Sequence, residues 1–199
     1  MNIMDNTSYI AGLISADGHL DKDEKSVSIY SNNRAFSEKI RVLLEEESGA
    51  KAKIYSSKNA YKIYVYCPSF YDLLIKKYSL FTGRKSHQLK FPENLNSQEI
   101  KSFVKGYVDG DGCIYIDKRK RRGRINFYLR VEIASKSKRF LIKLKKFLER
   151  NNVICGKIKK GKRVFRLCVY ADNARKFVHV VGFRHPQKIL SFPIPQGVD

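Results

Sequence analysis

Two stretches of the chain, 94 residues apart, follow the same pattern. The first is YIAGLISADGHL at residues 9–20, and the second is FVKGYVDGDGCIYI at residues 103–116. In each, a short apolar run ends in a small residue, Asp and Gly, and a strand-like segment follows. Asp17 and Asp111 therefore hold equivalent places. The repeat predicts two copies of a helix that ends in a carboxylate, with the two carboxylates used together.

The likeness of the two halves extends beyond these motifs. Residues 31–36 (SNNRAF) align with residues 135–140 (SKSKRF) at an offset of 104. The larger offset places about ten additional residues after the second motif, in the basic stretch DKRKRRGR at residues 117–124. The repeat covers nearly the whole chain and predicts two subdomains, residues 1–96 and 97–199.

Each half shows the same order of helical and strand periodicity. A motif helix is followed by a hairpin, an amphipathic helix, a second hairpin and a last helix, which predicts an α+β fold with a duplicated αββαββα order. The strands alternate cleanly: in INFYLRVEI at residues 125–133, apolar side chains share one face and polar or basic ones share the other.

The polar strand faces are candidates for nucleic-acid contacts, because a two-stranded ribbon can enter the major groove and reach base edges. A merely solvated sheet face is the alternative. The candidate residues are Ser28, Tyr30, Asn32, Lys62, Tyr64, Tyr66, Arg119, Arg121, Arg124, Asn126, Tyr128, Arg130, Glu132, Lys157, Lys159 and Arg166.

The charge balance points to a polyanionic partner. The formal net charge is +21 at pH 7, and residues 101–199 hold 26 basic and 7 acidic residues against 14 and 12 in residues 1–100. A polyanion is the expected partner, since Lys and Arg that neutralise phosphates release condensed counterions. The strand ribbons, which fit a major groove, point to double-stranded DNA. A membrane surface is not expected, because the positive charge is spread over several strand-like segments.

The chain has neither a secretory signal pattern nor an apolar run near the roughly 20 residues needed to span a bilayer. We expect an intracellular protein, in a prokaryotic cytoplasm or an organelle. The four cysteines have no metal-binding spacing and are expected to be free, mostly buried thiols, although a Cys155–Cys168 bridge stays open.

Small residues recur four positions apart in each motif helix: Gly12 and Ala16, Gly106 and Gly110. Positions four apart lie on one helix face, and a stripe of small residues lets two helix backbones approach closely. The pattern predicts that the motif helices pack against each other and bring Asp17 and Asp111 side by side.

Two carboxylates held together at helix C-termini repel each other, and a divalent cation relieves the repulsion. Asp17, Asp111 and the main-chain carbonyls of Ala16 and Gly110 are hard oxygen ligands suited to Mg²⁺, with Mn²⁺ as an expected substitute. DNA phosphates and water would complete the shell. The alternative is that each Asp-Gly pair only ends a helix before a hairpin.

With its two nonapeptides, IAGLISADG at residues 10–18 and VKGYVDGDG at residues 104–112, the chain resembles the single-chain, two-motif LAGLIDADG homing endonucleases. The resemblance implies two saddle-shaped antiparallel sheets, related by a pseudo-twofold axis and joined at the central motif helices. It also implies an intron-encoded monomer that binds a long asymmetric DNA target and cleaves both strands with Mg²⁺, leaving short 3′ overhangs.

The resemblance assigns Asp17 and Asp111 as the metal-binding acids. At the sixth motif position, where the family has an acid, the first copy has Ser15 and the second has Asp109. That position is not the essential acid, so Asp109 is expected to serve in helix capping or packing.

The resemblance further implies polar and basic residues that orient water and neutralise phosphate near the metal. Many members have Gln where this chain has Ser31 and Ser135, which leaves the water-positioning role open. The candidates at the ends of the first hairpins and after the last helices are Ser31, Asn32, Ser135, Lys136, Lys85 and Arg184.

Two other functional classes remain. Some relatives of this fold act as intron maturases or bind nucleic acid without cleaving, and loss of the Asp pair would favour those roles. A small-molecule enzyme is disfavoured, because the sequence has no phosphate-cradling glycine loop and no nucleophile triad.

Overall fold

The computed structural model describes residues 5–58, 60–82, 88–121 and 123–190, with only the backbone at Arg121 and Leu190. Two four-stranded antiparallel sheets form, one from each half, with strand orders β1-β2-β4-β3 and β5-β6-β8-β7. The predicted αββαββα order is confirmed in both halves, and a short helix follows the second. The elements are α1 Asn6–Asp17, β1 Gly18–Asp21, β2 Ser26–Ser31, α2 Arg34–Ser48, β3 Ala52–Ser57, β4 Ala60–Tyr66, α3 Pro68–Tyr78, α4 Ser97–Asp111, β5 Gly112–Arg121, β6 Arg124–Ser135, α5 Lys138–Arg150, β7 Lys159–Lys160, β8 Phe165–Tyr170, α6 Ala171–Val180 and α7 Pro186–Leu190.

Both motif helices begin at a polar cap and end at the Asp of their motif. The side chain of Asp5 accepts from the Ser8 amide at the start of α1, and Asn96 forms a capping box with Glu99 at the start of α4. Extended backbone begins at the following glycine in each case, so each Asp lies where its helix runs into a strand.

The two motif helices cross with their backbones in contact. A Cβ added to Gly12 would lie 2.0 Å from the carbonyl oxygen of Phe103, and one added to Gly106 would lie 2.0 Å from that of Tyr9. The contact is reciprocal and leaves no room for a methyl group on either side. Glycine costs about 1 kcal/mol relative to alanine inside a helix, and the close crossing explains why both positions carry it.

One hydrophobic core joins the halves. Side chains from both motif helices, both sheets and the amphipathic helices form a single buried cluster, so the two sequence repeats share their interior. The four cysteines are free thiols, as expected, and only Cys113 is exposed. None of the helices in the described part of the chain has the length and apolarity to cross a bilayer.

The halves differ in their hairpins. The additional residues of the second half lengthen the β5–β6 hairpin, whose outer part extends past β8. The second hairpin of this half is shorter than that of the first half, because β7 contains only Lys159–Lys160 whereas β3 spans Ala52–Ser57. Before β7, the Ile154 amide donates to the side chain of Asn173 instead of joining a strand ladder.

Candidate metal site and nucleic-acid interface

Asp17 and Asp111 converge where the motif helices end. A Cβ added to Gly110 would lie 2.8 Å from Oδ2 of Asp17, so this carboxylate reaches across to the end of the partner helix. Partial burial and the nearby charge of Asp17 raise the pKa of Asp111 to about 6. Both residues still reach solvent. Two mutually repelling carboxylates in a solvent-open cleft are suited to a cation.

Each carboxylate has its own cavity. The cavity beside Asp17 has a volume of about 390 Å³, and polar side chains from both halves contribute to its wall: Ser31, Asn32, Gln187 and Lys188. The cavity beside Asp111 has a volume of about 240 Å³ and is bordered by Ser135, Lys136, Tyr107 and Leu89. The structure thus brings to the two cavities six of the eight side chains predicted for the metal and its surroundings: Asp17, Asp111, Ser31, Asn32, Ser135 and Lys136.

The two serines occupy equivalent turns. Ser31 Oγ accepts from the Asn33 amide at 3.1 Å, and Ser135 Oγ accepts from the Ser137 amide at 3.2 Å. Asn33 and Ser137 in turn cap helices α2 and α5. Both hydroxyls therefore hold the backbone that follows the first hairpin of their half, and they lie on the walls of the two cavities.

Besides Lys136, the site contains a second basic residue, Lys188, which was not predicted from the sequence. Its Nζ donates to the main-chain carbonyls of Val108, Asp109 and Gly110 at 2.8, 2.6 and 3.0 Å, so it neutralises the C-terminal end of α4. Burial lowers the pKa of Lys188, while neighbouring carboxylates oppose that shift.

Arg184, which was predicted to supply this charge, lies elsewhere. Its guanidinium packs over the ring of Tyr9, 4.9 Å from the centroid, and it contributes to neither cavity. The basic residue beside the cavity of Asp17 is Lys188, four residues further along the chain. Lys85, the other predicted basic residue, lies outside the described residues.

The donor set is compatible with a hard divalent cation, because it consists of two carboxylates and main-chain oxygens. Among the described residues, no group of three His, Cys, Asp or Glu side chains could hold a metal by itself. The carbonyl oxygen of Gly110, one of the predicted ligands, accepts from Lys188 here. The side chains best placed for a metal are Asp17 and Asp111.

A model of the LAGLIDADG-like domain matches residues 5–91 and again residues 98–182. The chain belongs to the LAGLIDADG-like family. The two matches correspond to the two repeats that share the cleft. A search of curated protein sequences found no match.

Solved structures of LAGLIDADG proteins have the same fold. I-DmoI in complex with DNA and Ca is 18% identical, with a TM-score of 0.65 over 93% of this chain and 95% of that one. I-DmoI with DNA and Mn is 19% identical, with a TM-score of 0.63 over 89% and 96%. The I-LtrWI homing endonuclease bound to target DNA is 14% identical, with a TM-score of 0.65 over 93% and 86%.

In this LAGLIDADG protein, the open face of the C-terminal sheet is organised around Arg130. Its guanidinium lies 5.5 Å from the ring centroid of Tyr115 and 5.3 Å from that of Tyr170, the residues paired with it on the two neighbouring strands. It also donates to Glu132 at 2.8 Å and lies 3.5 Å from Asp117. Arg130 is therefore held in one orientation, with 22% of its side chain exposed.

Glu132 differs from its predicted role, because its carboxylate is occupied by arginines. Oε1 accepts from Arg166 and Oε2 from Arg130, both at 2.8 Å, and only 15% of the side chain is exposed. Glu132 therefore aligns two arginines on the open face, and the arginines are the groups left to meet a partner.

The other candidate contacts differ in accessibility. Ser28 is only 3% exposed between His19 and Tyr64 of the neighbouring strands, so it has almost no surface to offer a partner. Lys62, Tyr64 and Asn126 are half-buried on the open faces, and the side chain of Arg121 lies outside the described residues. The exposed candidates are Tyr30, Asn32, Tyr66, Arg119, Arg124, Tyr128, Lys157, Lys159 and Arg166.

Proposed function

We propose that this protein is a site-specific endonuclease that binds a long asymmetric duplex DNA site and cleaves both of its strands, leaving short 3′ overhangs. The observation that carries the proposal is the convergence of Asp17 and Asp111 at the ends of the crossing motif helices, in a chain with a formal net charge of +21. We propose that the protein acts as a monomer, because one chain contains both halves of the site.

The proposed substrate follows from charge and geometry. The exposed arginines and lysines of the open faces can neutralise phosphates, and the ordered guanidinium of Arg130 can reach base edges. The C-terminal half carries most of the excess charge. It is therefore the half expected to hold its side of the target more strongly.

The proposed cofactor is Mg²⁺, with Mn²⁺ as a substitute, held by Asp17 and Asp111 together with DNA phosphates and water. A bound divalent cation would supply activation of a water nucleophile and stabilisation of the leaving oxygen. The I-DmoI structures in complex with DNA contain Mn or Ca, which supports a divalent cation here as well.

Residues of the protein position the scissile phosphate and the backbone around it. Lys188 places positive charge at the cavity of Asp17 and Lys136 at that of Asp111, where negative charge would develop on a scissile phosphate. Ser31 and Ser135 fix the backbone at the cavity walls. These groups are arranged before any substrate arrives, which lowers the cost of reorganisation in the reaction.

The test is selection of cleaved products from a library of randomised duplexes with Mg²⁺. We expect one asymmetric site to be recovered from the wild type and nothing from Asp111→Asn or Asp17→Asn. Both variants should still bind the selected site, because the sheet faces are unchanged. Binding without cleavage by the wild type would support the alternative, a non-cleaving or maturase relative of the same fold.

A further inference from the structure

We propose that Asp109 is a positioning residue, which holds the tail segment (residues 184–190) against α4 and thereby places Lys188 beside the catalytic carboxylates. This role rests on the proposed function. Asp109 is 3% exposed and its carboxylate accepts hydrogen bonds from the tail backbone, so the role we assign to it runs through the tail segment.

The carboxylate of Asp109 binds the tail backbone directly. The amide of Arg184 donates to Oδ2 at 2.9 Å and to Oδ1 at 3.2 Å, and the amide of His185 donates to Oδ1 at 3.2 Å. The hydroxyl of Tyr9 on the other motif helix completes the set at 2.7 Å. A buried carboxylate needs such donors, so the tail and the acid stabilise each other.

Lys188 lies one turn beyond this attachment. The carbonyl of His185 accepts from the amides of Lys188 and Ile189, which begins the turn that points Lys188 back toward α4. Its ammonium then binds the last carbonyls of the same helix that carries Asp109. The tail segment is thus fixed to α4 at two points, Asp109 and the last carbonyls of the helix. The contact with Asp109 determines whether the Lys188 ammonium can reach those carbonyls.

The first half of the chain lacks both parts of this device. The residue equivalent to Asp109 is Ser15, whose Oγ donates within its own helix to the carbonyl of Ala11. The residue equivalent to Lys188, seven residues into the matching segments GRKSHQL and GFRHPQK, is Leu89. The acid and the lysine are present together in one half and absent together from the other.

The first experiment measures amide hydrogen exchange of the tail segment, which needs no cleavage. We expect Asp109→Asn and Asp109→Ser, the latter copying Ser15, to exchange faster at Arg184 and His185 while helices α1 and α4 stay protected. Tyr9→Phe is the matched control, because it removes a donor to Asp109 but keeps the tail attachment. Unchanged exchange in both Asp109 variants would overturn the proposal even if the protein cleaves no DNA.

The second experiment measures single-turnover cleavage and DNA affinity for Asp109→Asn, Lys188→Met and the double variant. Asp109→Asn should cleave about 10- to 100-fold more slowly, the range seen when residues that orient a metal site are lost. DNA affinity should not change. The double variant should be no slower than Lys188→Met, because both changes remove one function. If the fold-losses in cleavage rate of the two single variants multiply in the double variant, Asp109 and Lys188 act independently and the proposed link is refuted.

Discussion

The ammonium of Lys188 lies 3.0 Å from the main-chain carbonyl oxygen of Gly110, at the end of the helix that carries Asp111. Its equivalent in the first half is Leu89, whereas the first-half equivalent of Lys136 is Asn32. Each cavity of the cleft therefore has one lysine, but the two lysines come from different places in the repeat. The halves are related in fold and unlike in chemistry.

This arrangement predicts that Lys136→Met and Lys188→Met slow different strands. Lys188 borders the cavity of Asp17 and Lys136 borders that of Asp111, so each loss should impair one half of the cleft more than the other. Nicked intermediates labelled on either strand should accumulate with opposite strand bias in the two variants. Equal slowing of both strands by both variants would contradict a division of labour between the lysines.

Gly106→Ala should destabilise the protein by about 3 kcal/mol, the upper end for an overpacked core. Helix propensity alone would favour the alanine by about 1 kcal/mol, but its methyl group would lie 2.0 Å from the Tyr9 carbonyl oxygen. Chemical denaturation is the measurement, and Lys101→Ala in the same helix is the control that leaves the crossing intact. A Gly106→Ala protein as stable as wild type would show that the helices can separate at no cost.

The stability of the metal-free protein should depend on pH through Asp111. Its pKa in the folded state is about 6, above the ordinary value of 3.8, so its ionisation disfavours the folded state. As pH falls from 7 toward 4, wild type should gain stability relative to Asp111→Asn, which has no such titration. Thermal denaturation in a chelator measures the difference. If the difference in stability between wild type and Asp111→Asn does not change with pH, the pKa of Asp111 is not raised in the folded state.

A divalent cation should relieve the repulsion between Asp17 and Asp111, and only the wild type has both carboxylates. Binding to the folded state raises stability according to the cation concentration relative to its dissociation constant. We expect Mg²⁺ to raise the melting temperature of wild type and to have little effect on Asp17→Asn or Asp111→Asn. The same shift in all three proteins would place the cation outside the cleft.

Arg130→Lys should weaken DNA binding and relax base preference at one position by about 1–3 kcal/mol, if the contact is to a base edge. Lysine cannot keep the stacking on Tyr115 and Tyr170 together with the contacts to Glu132 and Asp117. The exposed Lys157 offers a contrast. Lys157→Ala should weaken binding to all sequences alike and lower the salt slope by about one.

Measured affinities for a set of targets with single base-pair changes separate these two effects. A uniform loss from Arg130→Lys would reassign Arg130 to the phosphate backbone, and a sequence-dependent loss from Lys157→Ala would assign that lysine to a base.

The sequence was sufficient for the fold and for the pair of acids, because both follow from a repeated local pattern. The small residues at positions 12 and 16 recur at helical spacing, as do those at 106 and 110, and each motif ends at an Asp-Gly pair. Lys188 was missed because its matching position is Leu89, so comparison of the halves pointed to Arg184 instead. The feature of the sequence that could have indicated Lys188 is its place as the only lysine of GFRHPQK. It follows His185, which the structure shows to be buried, by three residues.

Side-chain roles on the sheets were harder to predict, because they depend on the strand register and on neighbouring strands. Alternation correctly placed Ser28 and Glu132 on the polar faces. It could not show that Ser28 is covered between His19 and Tyr64, or that Glu132 is paired with two arginines. Those facts come from contacts between residues that are far apart in the sequence.

The crossing of the motif helices has a consequence for biosynthesis. Helix α1 is buried on nearly every side, and α4 supplies the surface against which Gly12 packs. The first half to leave the ribosome therefore has an uncovered apolar helix until α4 has been made. Until then it is a target for chaperones or for the same helix of another nascent chain. We therefore expect completion of the core and assembly of the cleft to be a single late event in folding.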